Sequence, residues 1–134
     1  MLRSIIAVVI GLIAGMIFNM ALVVLNIALY PMPEGGWDDP DMVAIYFFKL
    51  PFMAFFIVLV AHVGQAFVGG LIASLVSSKA PVLCAMIVGS ISLILGILNM
   101  MSLPLPAWMW IEMPLYLIAA YAAARLATNR VAVA

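Results

Sequence analysis

Chemistry in this chain starts with a carboxylate where none belongs. Glu112 is the only charged residue between Lys79 and Arg125, in a stretch otherwise dominated by apolar side chains. An ionised carboxyl group in hydrocarbon costs several kcal/mol and persists only with a partner, a proton or a water-filled cavity. Glu112 therefore reads either as a proton or cation site, or as a structural carboxyl group bonded to Asn26, Asn99 or Tyr116 or reaching the outer interface. His62 and Gln65 fall in another apolar run, one helical turn apart on a shared face. They form either a hydrogen-bonded clamp onto a neighbouring helix or a proton relay. Asn19 and Asn26 are seven residues apart and share a face too. At about 1.5 Å rise per residue, Asn26, Asn99 and Glu112 fall within roughly 10 Å of the outer surface, with Asn19 deeper and His62 near the midplane. Together with Gln65 and Tyr116 these residues are the candidate ligand or proton site.

Other chemistries find no support. His62 is the only histidine, so a zinc site would need carboxylates from other depths, and no metal site is expected. Cys84 stands alone, which excludes an intrachain disulfide and a Cys-x-x-Cys redox pair. Glu34, Asp38, Asp39 and Asp41 match no EF-hand spacing and read as solvated charge and helix capping. No Ser–His–Asp pattern, His-Glu-x-x-His or glycine-rich phosphate loop is present, so neither an enzyme nor a bound cofactor is expected. Five scattered basic residues and a net charge of zero argue against nucleic acid as a partner.

The elements that must position these residues follow from hydropathy. Of 134 residues, 69% are hydrophobic and 7% charged, against about a quarter charged in soluble domains, so the lipid bilayer is the expected surrounding. Four apolar runs, at about 4–30, 51–77, 80–102 and 107–127, each reach or exceed the ~20 residues that cross a bilayer. The first follows Arg3 and outlasts the roughly 7–15 residues of a signal-peptide core, which predicts an uncleaved anchor. The polar stretch 31–49 makes an outer loop. Within it Asp39-Pro40-Asp41 predicts a short interfacial helix near Pro40–Phe48, with Asp39 as N-cap and Pro40 in the first turn. Trp37, Tyr46, Phe47 and Phe48 then lie at headgroup depth.

The expected fold class is all-α: a single transmembrane domain, an antiparallel four-helix bundle with that interfacial helix in its first outer loop. Arg3, Lys79, Arg125 and Arg130 fall on one side against Lys49 on the other, which places both termini in the cytoplasm. A tail is expected from Thr128. Small residues supply close-packing seams: Ala7, Gly11 and Gly15; Ala66, Gly70 and Ser74; Ala85, Gly89, Ser92, Gly96 and Asn99; Ala119, Ala123 and Ala127. Pro114 removes a hydrogen bond to the Trp110 carbonyl and predicts a bend there.

Several features occur together: an N-terminal Arg before a glycine-bearing first helix, an exit at Leu29-Tyr30-Pro31, an acidic Asp-Pro loop closing in Leu50-Pro51, and Phe67-Val68-Gly69-Gly70 late in the second run. In these the chain resembles a set of small bacterial four-helix membrane proteins for which no activity is established. The resemblance implies the bacterial inner membrane and carries no functional residues. Small multidrug-resistance transporters are similar in size, but their intramembrane glutamate lies in the first helix rather than the fourth. The leading expectation is an accessory or scaffolding subunit, associating with a copy of itself or a larger membrane partner. The alternative is a minimal oligomeric proton- or cation-coupled transporter using Glu112. A hydrated cavity favours the transporter; a dry interior favours the scaffold.

Overall fold

The computed structural model describes residues 2–77 and 79–133, with side chains through 129. Five α-helices follow in order: α1 (Leu2–Leu29), α2 (Pro40–Lys49), α3 (Phe52–Val76), α4 (Pro81–Ser102) and α5 (Glu112–Val133). Short 3-10 turns at Gly36–Asp38 and Ala107–Ile111 precede α2 and α5, and the described residues contain no strand. α1, α3, α4 and the segment Ala107–Asn129 are each long and apolar enough to cross a membrane.

The last span departs from expectation at both ends. It opens as a 3-10 segment and becomes α-helical only at Glu112, so Pro114 sits in the first turn of α5, where its missing N–H breaks no ladder bond. At the far end the helix runs on to Val133 rather than stopping at Ala127. No Gly or Pro interrupts that stretch, and the Thr128 hydroxyl donates back to the carbonyls of Ala124 (3.0 Å) and Arg125 (3.1 Å). Ser78 in the expected turn, Ala134 at the end and the Arg130 side chain lie outside the described residues.

α3 is the central element and touches α1, α4 and α5. Its contact with α1 is set by glycine. A Cβ added at Gly11 would stand 2.5 Å from the Gly69 carbonyl oxygen and 2.8 Å from the Ala73 Cβ, and one at Gly15 would stand 2.5 Å from the Gln65 carbonyl oxygen. Only a hydrogen fits. Residue numbers fall along α3 as they rise along α1, so the two helices run in opposite directions. α4 meets α5 in the same way, with Gly89 against Ala120. The alanines, glycines and serines of every seam are buried. Where hydrocarbon surrounds a protein, this close approach and the dispersion it brings replace the hydrophobic drive of a soluble core.

The two ends of the molecule are built differently. At one, the start of α1, the end of α3 and the start of α4 meet: Arg3 Nε donates to the Val76 carbonyl (3.4 Å), and Ala7, Ala73, Cys84 and Val88 form a compact apolar cluster. At the other, α2 folds over the helix ends. Asp39 caps it, its carboxylate accepting from the Asp41 N–H (2.9 Å) and the Met42 N–H (3.5 Å). Phe47 and Leu50 pack onto Phe55, Met100 and Met109. The Tyr46 hydroxyl donates to the Tyr30 carbonyl, tying α2 to the end of α1.

Candidate functional site

Glu112 is fully buried, and its partner is His62. The imidazole Nδ1 lies 3.1 Å from Oε2 and 3.3 Å from Oε1. With the carboxylate accepting, the hydrogen resides on Nδ1 and Nε2 faces Asn99, whose Nδ2 donates to it over 3.4 Å. The Tyr116 hydroxyl donates to Glu112 Oε1 (3.3 Å), one turn further along α5. Tyr116 reaches this position because Gly96 leaves its ring room; a Cβ there would collide with the phenol. α3, α4 and α5 thus each contribute to one chain of bonds: Asn99, His62, Glu112, Tyr116.

One expectation is corrected by this geometry. His62 was placed near the midplane, well below Glu112, yet the two are bonded. The 3-10 segment Ala107–Ile111 rises about 2.0 Å per residue rather than 1.5, which carries Glu112 deeper than an α-helical count does. The reach of the two side chains closes the remainder. Gln65 shares the cavity face with His62 but has partners of its own: its Oε1 accepts from Asn19 Nδ2 (2.6 Å), and its Nε2 donates to Ser92 Oγ (3.5 Å). Gly15, one turn before Asn19, lets α1 approach the Gln65 backbone closely enough for that bond. Ser92 read only as a packing residue in the sequence. Its spacing with Gly89 and Gly96 hid its hydroxyl's second use.

These groups form the floor of a cavity of about 380 Å³ between α1, α3 and α4, beneath α2. Asn19, Asn26, His62, Gln65, Ser92, Asn99 and Tyr116 supply its polar surface. Met16, Met20, Phe55, Val58 and Leu95 form apolar walls, while Trp37 and Tyr46 stand at the α2 end. Glu112 does not line the space; it lies behind the imidazole. The volume is within the range of small-molecule sites, as is the pattern of apolar walls with a few convergent polar groups.

No family model matches this chain, and neither a curated protein nor a solved structure does. The site's chemistry therefore has to be read from its own geometry.

Two buried side-chain oxygens on residues that line the cavity have no partner: Asn19 Oδ1 and Asn26 Oδ1. An unsatisfied buried acceptor costs about 1–3 kcal/mol. Asn26 is 7% exposed and does not bond Glu112, contrary to one reading of the sequence. At the α2 end, burial raises the Tyr46 phenol above its ordinary pKa of 10.0. The arrangement combines a carboxyl–imidazole pair able to hold or release a proton, amide groups able to orient a ligand, and a space to receive one.

Proposed function

We propose that this chain is a minimal proton-linked transporter or binding protein for a small molecule, built as an antiparallel four-helix bundle in the bacterial inner membrane. The carrying observation is the His62–Glu112 pair, whose imidazole faces a largely apolar cavity with a few convergent polar groups. A scaffold has no use for a cavity into which His62, Gln65, Ser92 and Asn99 converge, whereas a ligand site does. The carboxylate accepts the Nδ1 hydrogen of the imidazole and so fixes Nε2 toward Asn99 and the cavity. Ligand arriving against Nε2 and Asn99 changes the electrostatic environment of the imidazole, and Glu112 transmits the change to Tyr116 on α5.

In this reading both termini are cytoplasmic, and α2 lies along the outer surface with Trp37 and Phe48 at headgroup depth. The cavity then belongs to the outer half of the membrane. An oligomer could supply the path through the inner half, where the seams leave none within one protomer.

The test is proton release or uptake by the purified protein in lipid as cationic and lipophilic candidates are titrated in, comparing the native chain with Glu112→Gln. A ligand-dependent proton signal that the variant loses supports the reading. No signal across the panel, with both forms equally stable, returns Glu112 to a structural role and favours the scaffold.

A further inference from the structure

The polar floor of the cavity specifies the head of its ligand. Among the described residues, no Asp, Glu, Lys or Arg lines it, so a charged head would lose its hydration without gaining a counter-ion. A neutral head loses less. The imidazole, with its hydrogen on Nδ1 and turned to Glu112, has one in-plane lone pair left, on Nε2. The His62 side chain keeps 10% of its surface accessible while that of Glu112 keeps none, and the open part of the ring is on the cavity side. Asn99 Nδ2 reaches Nε2 over 3.4 Å, a long bond, from a side chain that is only partly buried and also lines the cavity. One hydroxyl oxygen beside the two nitrogens can accept from Asn99 and donate to Nε2, exchanging a long bond for two of ordinary length.

The walls specify the body of the ligand and its route. The Tyr116 ring is stacked beside the imidazole, with centroids 6.5 Å apart and planes at 25°. Toward α2 the lining continues with Phe55 and Phe47, then Tyr46 and Trp37, so a flat ring meets aromatic neighbours along the space. The volume of about 380 Å³ exceeds the about 150 Å³ that holds a benzene ring. α1 and α4 meet at the opposite end of the molecule, where the Cys84 thiol donates to the Ser4 carbonyl (3.8 Å). Here Met16, Met20 and Ile27 of α1 and Leu95 of α4 line the cavity and are still between 41% and 55% exposed. In a spanning helix such exposure faces lipid, so the cavity opens sideways between α1 and α4, toward the acyl chains.

From the lone pair held on Nε2, the aromatic walls and the sideways opening, we infer that the site takes a neutral, membrane-borne phenol. Its hydroxyl donates to His62 Nε2 and accepts from Asn99, its ring lies along the aromatic wall, and its alkyl chain leaves between α1 and α4. This rests on the proposed function and names its ligand class. A phenol, with a pKa of about 10, is neutral at pH 7 and is a stronger donor to an imidazole nitrogen than an aliphatic alcohol. A methyl ether of the same shape keeps ring and chain but has no hydrogen to give. A benzoate brings a charge that no group lining the cavity balances.

The experiment is calorimetric titration of the full chain in phosphatidylcholine nanodiscs with 4-nonylphenol, 4-nonylanisole, 4-nonylcyclohexanol and 4-nonylbenzoate, each corrected with empty discs. The phenol is expected to bind about tenfold more tightly than the ether or the benzoate, and about threefold more tightly than the cyclohexanol, which lacks the flat ring. That ratio is read on the native protein and needs no variant. Asn99→Leu should weaken the phenol about threefold and leave the ether unchanged, and His62→Phe should bring phenol and ether to the same affinity; helicity and monodispersity show that both variants fold. A diazirine in the nonyl chain should label Met16, Met20 or Leu95, with excess phenol suppressing the label; labels confined to α2 would overturn the sideways route. If the ether or the benzoate binds the native protein as tightly as the phenol, the hydroxyl class is wrong while the ligand site stands. If none of the four binds, both fall.

Discussion

The two halves of this molecule use the same helices for opposite ends. Toward the start of α1, alanine and glycine bring α1, α3 and α4 into near backbone contact around Ala7, Ala73, Cys84 and Val88. Toward α2 the same helices diverge, and side chains such as Asn19, His62 and Phe55 border a space instead of filling it. Gly15 and Gln65 mark the boundary: a close backbone approach of α1 to α3 is also where the first polar bond to the cavity floor is made. A rigid seam on one side of that boundary is what allows a polar, under-filled site to persist on the other. Stability sits in the seams, and the chemistry sits where packing was relinquished.

Four substitutions or titrations would break or sharpen that contrast. The largest effect belongs to the seam. Gly11→Val places carbon where only a hydrogen fits and should destabilise the protein by about 3 kcal/mol, read as a lower midpoint in detergent or thermal unfolding. An equal midpoint would mean that α1 is not held by close approach. At the boundary, Asn19→Leu leaves Gln65 Oε1 without its donor and should cost about 1–2 kcal/mol in the same assay. Inside the cavity the sign reverses. Asn26→Leu removes an unsatisfied oxygen and should leave stability unchanged or raise it by up to about 1 kcal/mol, while ligand binding weakens. A clear loss of stability there would show that Asn26 has a structural partner.

The smallest effect concerns the covering helix. Burial raises the Tyr46 phenol above 10.0, so the folded state holds that proton more firmly than the unfolded chain does. Its contribution is complete below pH 10 and is lost as pH rises through the folded-state value. Hydrogen exchange of α2 amides should therefore show the helix loosening at alkaline pH. Tyr46→Phe, which also loses the bond to the Tyr30 carbonyl, should show weaker protection with that alkaline step removed.

Much of the fold was legible because hydrocarbon imposes a simple rule on composition. The four apolar helices are visible as apolar runs, three of them uncharged and the fourth holding Glu112 and Arg125, and Asp39-Pro40 announced α2 through cap chemistry that is local to the sequence. The end of α5 was not legible, since the stretch after Ala127 contains neither a helix breaker nor a capping glycine to mark a stop. The candidate site was readable as a set of residues and not as a set of bonds. Every polar side chain in a span could be named, but the His62–Glu112 bond joins two helices whose relative register, including the 3-10 opening before Glu112, the hydropathy pattern does not encode. Gln65 went to Asn19 and Ser92 rather than to His62 because partners are decided by helix separation, and Gly15 sets that separation.

The central claim is that Glu112 orients His62 by accepting its Nδ1 hydrogen, which leaves Nε2 to the cavity. Because His62 is the only histidine in the chain, ¹⁵N-histidine labelling gives one pair of ring signals to follow in lipid. The expected result is a ring hydrogen on Nδ1, directed at Glu112, with Nε2 unprotonated and its signal moving when a ligand from the cationic and lipophilic panel is added; Glu112→Gln should abolish the preference for Nδ1. Ring signals that stay fixed with ligand and with pH, or a hydrogen found on Nε2 alone, would contradict it.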